Sequence, residues 1–140
     1  MKRFIIFVSV LIAVMLTGCS NSERMATSEK SLQRVSVSKS KGYGGLNEAF
    51  FWNADSLNEM KLFEEMINSA RKEEVKTGDP AYDVLLDYGE GESGGERVIH
   101  IIESDDGRWL LTYDGHEDKT YAATKESSQP VKDLIESVHR

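Results

Sequence analysis

The sequence is short of the residues from which most recognisable sites are built. Its 140 residues hold one cysteine, three histidines and two prolines. A single thiol cannot close a disulfide within the chain, and it excludes C-x-x-C redox motifs and cysteine-ligated zinc. Stability must therefore come from an ordinary hydrophobic core. His100, His116 and His139 fall in no H-x-H or H-E-x-x-H spacing. Positive charge is scarce too: 17 Lys and Arg face 24 Asp and Glu, a formal charge of −7. Nucleic-acid binding relies on clustered cations at phosphates, so no nucleic-acid partner is expected. There is no G-x-x-x-x-G-K-[ST] phosphate loop and no G-x-S-x-G nucleophile elbow.

The N-terminus is where the sequence says most. Lys2 and Arg3 precede an apolar run from Phe4 to Leu16, broken only by Ser9. At about 1.5 Å per residue such a helix reaches about 20 Å, short of the roughly 30 Å hydrocarbon core. The pattern is that of a secretory signal rather than an uncleaved membrane span. Leu16-Thr17-Gly18-Cys19 follows, and it resembles the lipobox of bacterial lipoproteins: an aliphatic residue, two small residues, then cysteine. The resemblance implies that signal peptidase recognises Leu16, Thr17 and Gly18. It also implies that Cys19 takes a diacylglyceryl group and becomes the mature N-terminus. Two acyl chains hold a protein stably where one does so only marginally. Residues 1–18 carry Lys2, Arg3 and no acid, so their loss takes the charge from −7 by two to −9. The expected address is the extracytoplasmic face of the cell membrane, with the lipid as the membrane contact.

Residues 19–33 (CSNSERMATSEKSLQ) are polar and rich in Ser and Glu, and are read as a lipidated disordered tether. Residues 34–140 are read as one domain. Val35 and Val37 alternate with serines, a strand signal, and Ala49-Phe50-Phe51-Trp52 is a second strand. Between them Lys39 to Gly45 reads as a flexible, glycine-rich break. Ser56-Leu57-Asn58-Glu59 fits a capping box, and Met60, Phe63, Ile67 and Ala70 form one helical face. Arg71 and Lys72 are expected in that helix's last turn. Its methionine spacing is explained by a core stripe, without a copper or haem site.

Tyr82 to Tyr88, Arg97 to Glu103, Arg108 to Tyr113 and Lys119 to Thr124 read as four strands joined by short turns, an antiparallel meander. A final helix, capped by Ser127 or Ser128 with Pro130 in its first turn, presents Val131, Leu134, Ile135 and Val138. The expected fold class is α+β: a small antiparallel sheet of about four to six strands packed against two helices in two layers.

Pro80-x-Tyr82 opening a strand, Arg108-Trp109-Leu110-Leu111, Lys119-Thr120-Tyr121 and a closing Leu134-Ile135 helix are together similar to the C-terminal part of small YhfM-like lipoproteins of Gram-positive bacteria. The likeness covers roughly residues 60–138. It implies a small extracytoplasmic α+β domain and brings no catalytic residue with it.

Candidate chemistry is sparse. His100 sits mid-strand among isoleucines, which suits a packed, hydrogen-bonded side chain better than a ligand. The acids in Ser104-Asp105-Asp106-Gly107 and in Asp114-Gly115-His116-Glu117-Asp118 suit turn-making, and the second lacks the D-x-[DN]-x-[DN]-G calcium register. Trp109 and Tyr113 share a strand face with Leu111, which favours core over an exposed aromatic strip. No catalytic residue, metal ligand or cofactor is assigned. The expectation is a non-enzymatic binding domain with a protein or peptide partner at the cell surface. The alternatives are a small cell-envelope hydrolase and a structural or stress-linked surface protein.

Overall fold

The computed structural model describes residues 22–139. Leu16, Thr17, Gly18 and Cys19, and the expected signal segment 1–18 with them, lie outside the described residues. Among the described residues no helix is long and apolar enough to cross a membrane.

Seven strands form one open antiparallel sheet. They are β1 (Arg34–Lys39), β2 (Phe50–Asn53), β3 (Arg71–Lys72), β4 (Tyr82–Asp87), β5 (Glu96–Glu103), β6 (Trp109–Tyr113) and β7 (Tyr121–Ala122). Their spatial order is β2-β1-β4-β5-β6-β7-β3. The meander β4-β5-β6-β7 is present as expected, because each of its turns is too short for a crossover. The strand count exceeds the expected four to six. The additional strand is β3, two residues pairing with β7 at Arg71↔Ala122 and Lys72↔Tyr121.

Two helices, α1 (Leu57–Ser69) and α2 (Lys125–Glu136), cover one face of the sheet. Helix α1 starts where the capping box puts it. Ser56 Oγ accepts from Glu59 N–H at 3.2 Å, and Glu59 Oε2 accepts from Asp55 N–H at 2.6 Å. Its Phe63, Met66 and Ile67 are buried, and Phe63 stacks on Trp52 of β2 with ring centroids 5.5 Å apart. The helix ends earlier than the charge pattern suggested. Ala70 is extended, and Arg71 and Lys72 leave the helix for the sheet. Arg71 still serves the helix end through its side chain, donating from Nη1 to the carbonyls of Asn68 and Ala70.

Helix α2 starts earlier than expected. Thr124, not Ser127 or Ser128, is its N-cap, and its Oγ1 accepts from Ser127 N–H at 3.2 Å. Pro130 thus lies in the second turn, and Val138 falls beyond the helix and is exposed. The core between the layers joins Val35, Val37, Val84, Leu86, Ile99, Ile101, Trp109 and Leu111 to the buried faces of both helices. The aromatic expectation holds for Trp109, which is 1% exposed, while Tyr113 packs against the core edge.

The tether expected through Gln33 is corrected over residues 23–33. Met25 and Leu32 are each 3% exposed and belong to the core. Met25 N–H donates to Ala70 O at 3.2 Å, Leu32 N–H to Glu64 Oε1 at 2.8 Å, and Arg24 bridges Arg71. Two apolar anchors spaced seven apart are enough to hold a segment whose remaining residues are polar. Lys30 and Ser28 also donate to carbonyls of Glu90 and Ser93 in the β4–β5 hairpin. In that hairpin Gly94 is required by space: a Cβ there would lie 2.3 Å from Gly89 O.

Candidate functional site

The second face of the sheet is also covered, and it is mixed: Leu85, Ile102 and Leu110 are buried on it beside a polar row. Parity puts Ser38, Asp83, His100 and Thr112 on it, one from each of β1, β4, β5 and β6. The register aligns them in a single row: Ser38↔Asp83, Asp83↔His100, His100↔Thr112. All four are buried. A polar row survives burial only if its groups are bonded; segment 40–49 and the β6–β7 turn supply most of those bonds, and two connecting segments lie over this face. The first is segment 40–49, which contains most of the stretch Lys39 to Gly45 expected as a flexible break. It lies across the row, and the Tyr43 ring meets His100 edge-on at 5.4 Å. The second is residues 76–78, which line a cleft together with Ile102 and Leu110. Tyr43 Oη donates to Gly78 O at 2.8 Å and joins the two covers.

His100 is the centre of the row. Its imidazole is fully buried, with Nδ1 2.8 Å from Asp83 Oδ1 and Nε2 3.0 Å from Asp114 Oδ1. Each carboxylate also accepts a backbone amide of the glycine-rich segment. Asn47 N–H donates to Asp83 Oδ2 at 2.8 Å, and Gly45 N–H to Asp114 Oδ1 at 3.0 Å. Gly44 and Gly45 have φ of 91° and 143°, a conformation that side-chain-bearing residues rarely adopt, and it turns the amide of residue 45 toward Asp114. Glu117, beside the β6–β7 turn, brings a carboxylate close. Ligand atoms of His100, Asp114 and Glu117 all lie within 4.8 Å of one another. Glu117 Oε1 accepts from Gly115 N–H at 2.8 Å. Thr112 is satisfied separately, its Oγ1 donating to the carbonyl oxygens of His116 and Lys119. Ser38 Oγ is buried with no protein partner among the described residues.

The expectation of a packed, hydrogen-bonded His100 matches this geometry. What the sequence reading missed is the company it keeps. Asp114 and Glu117 are turn residues, as read, yet the turn also brings their carboxylates to the histidine. His116, in the same turn, is exposed. Asp87 lies apart, paired with Arg34 Nη2 at 3.4 Å. The signal available was the hairpin register: a meander that pairs Tyr82 with Ile101 must pair Asp83 with His100.

A second charged cluster lies at the start of β6. Arg108 forms a two-pronged pair with Glu73 at 2.7 and 2.8 Å and a further bond from Nε to Asp106 Oδ2 at 2.7 Å. The Glu73 carboxyl is lowered from its ordinary range, chiefly by its bonds from Arg108. The Asp106 carboxyl is lowered to about 2, first by the Ser104 hydroxyl and then by Arg108. This cluster fastens the end of β3 to the β5–β6 hairpin. Burial raises Tyr88 to about 12, a phenol held in the protein's interior edge.

Comparison with family models, with curated proteins and with solved structures gave no match for this chain.

Proposed function

We propose that this protein is held by lipid on the extracytoplasmic face of the cell membrane, and that its single α+β domain acts by binding rather than by catalysis. The observation that carries the reading is Leu16-Thr17-Gly18-Cys19 placed directly after an apolar run, with Cys19 the sole thiol of the chain. A diacylated cysteine has a role; a lone secreted thiol otherwise has none. The likeness to YhfM-like lipoproteins supports the same address.

The non-catalytic half of the proposal is supported by His100. A Ser/His/Asp hydrolase needs a ring nitrogen aimed at a hydroxyl. Here both ring nitrogens face carboxylates, and the ring has no exposed surface. The protein or peptide partner is proposed to meet the domain outside this buried row.

Labelling cells with a radioactive fatty acid tests the anchor. Wild type incorporates label and Cys19→Ala does not; equal incorporation in both overturns the proposal. For the binding half, cross-linking followed by pull-down from detergent-solubilised membranes recovers a specific partner. Recovery of nothing above background counts against it.

A further inference from the structure

We infer that His100 Nε2, Asp114 and Glu117 form a site for one divalent first-row transition cation, of which Zn2+ is the probe of choice. The argument begins with donors and acceptors. Asp83 Oδ2 and Asp114 Oδ1 each accept a backbone N–H, so both carboxylates act as acceptors. When His100 Nδ1 donates to Asp83 at 2.8 Å, the neutral ring leaves a lone pair on Nε2. That lone pair faces Asp114 Oδ1 at 3.0 Å, on a carboxylate whose side chain is 32% exposed. Two electron pairs at that distance repel unless a positive charge lies against both.

A second ring proton, donated to Asp114 at 3.0 Å, would supply that charge to this pair alone; a metal ion would supply it to the Glu117 carboxylate as well. Donors bound at about 2.1 Å lie about 3.0 Å apart at a right angle and about 3.4 Å apart at the tetrahedral angle, so the 3.0 Å between Nε2 and Oδ1 falls at the short end of what neighbouring ligands on one ion adopt. The Glu117 carboxylate supplies a third donor within 4.8 Å of the other two. Asp83 takes the part of a positioning residue. It fixes the ring and the tautomer from the far side, as carboxylates behind metal-bound histidines commonly do. A donor set of one imidazole nitrogen and two carboxylates suits Zn2+ or Mn2+, whereas Ca2+ and Mg2+ take oxygen ligands. Of the three donors, Asp114 reaches a shallow surface cleft of about 460 Å³, which it lines with Arg97, Tyr113 and His116.

The test uses the full chain purified in detergent, stripped with chelator and titrated calorimetrically with Zn2+ alone. One Zn2+ per chain binds, and excess Mg2+ or Ca2+ does not displace it. Asp114→Asn and Glu117→Gln each weaken binding about 10-fold or more, the size of effect that even supporting residues of metal sites show. Both substitutions keep an acceptor for the amide now bonded there, so circular dichroism should report a folded chain. Should Asp114→Asn unfold, Glu117→Gln decides alone. His116→Ala, a neighbour outside the donor set, binds as wild type. Cys19→Ala does the same, which separates this site from the anchor. Absence of saturable binding overturns the inference. So does wild-type affinity in folded Glu117→Gln, or loss of binding confined to His116→Ala.

Discussion

Asp83 and His100 stand opposite each other on the two central strands β4 and β5 and are joined by a 2.8 Å bond, with 1% and none of their side chains exposed. The same Asp83 also holds the Asn47 amide. One buried carboxylate therefore fastens both the histidine and the segment that covers it.

Asp83→Leu is expected to destabilise the fold by about 3 kcal/mol or more, because it strands a buried imidazole and a buried amide without acceptors. Urea unfolding of the wild type and the variant measures this. A change below about 1 kcal/mol would show that the row is solvated rather than buried.

Phe63 anchors the helical layer. It has no exposed surface and stacks on Trp52. Phe63→Ala should cost about 3–5 kcal/mol through lost burial and a residual cavity. Leu57, the first residue of the same helix, is 77% exposed, and Leu57→Ala should change stability by less than about 0.5 kcal/mol. Thermal melts of the pair check the assignment of the buried face; similar losses in both would contradict it.

The Arg108 cluster gives a signed pH dependence. Glu73 and Asp106 are both depressed in the folded state, Glu73 chiefly by Arg108 and Asp106, to about 2, first by Ser104. The unfolded chain therefore binds their protons at higher pH than the folded one does. Their stabilising contribution is full above the ordinary carboxylate pKa near 4 and is lost as pH falls toward about 2. Arg108→Gln should flatten the fall in melting temperature between pH 5 and pH 2.5 relative to wild type. An identical pH slope in the two proteins would exclude the pair as a contributor.

Residues 23–33 should exchange unevenly with deuterated water. The amides of Met25 and Leu32 donate to Ala70 O and Glu64 Oε1 and should be protected, while the exposed amide-bearing residue Glu29 should exchange fast. Uniformly fast exchange from 23 to 33 would restore the tether reading.

Much of the helical layer is legible because its signals are local. The α1 face and its capping box need only neighbours three and four residues away, and the hairpin at Asp106-Gly107 needs only the turn itself. What escapes the sequence is whatever depends on distant partners. Arg71 and Lys72 read as helix-terminal cations, and only the arrival of β7 makes them a strand. Met25 and Leu32 are too sparse to signal a core by pattern, yet each finds a place in it. The polar positions Ser38 and Asp83 alternate with valines as a solvent-facing row would. Their cover comes from segment 40–49, whose glycines spell freedom in sequence and attachment in the fold. Asp114 is the clearest case: a turn acid by local grammar, a partner of His100 only once β5 and β6 are in register.

The bridge between Arg24 and Arg71 sets the length of a leash. With lipid on Cys19, only residues 20–22 would separate the anchor from Glu23, whose carbonyl already accepts from Lys72 N–H at 2.7 Å. The four steps from Cys19 to Glu23 span at most about 14 Å when fully extended. The β3 edge would then be drawn close to the lipid headgroups, bringing Arg24, Arg71 and Lys72 with it. An acidic protein would meet its membrane along the β3 edge, in a restricted orientation rather than swinging free.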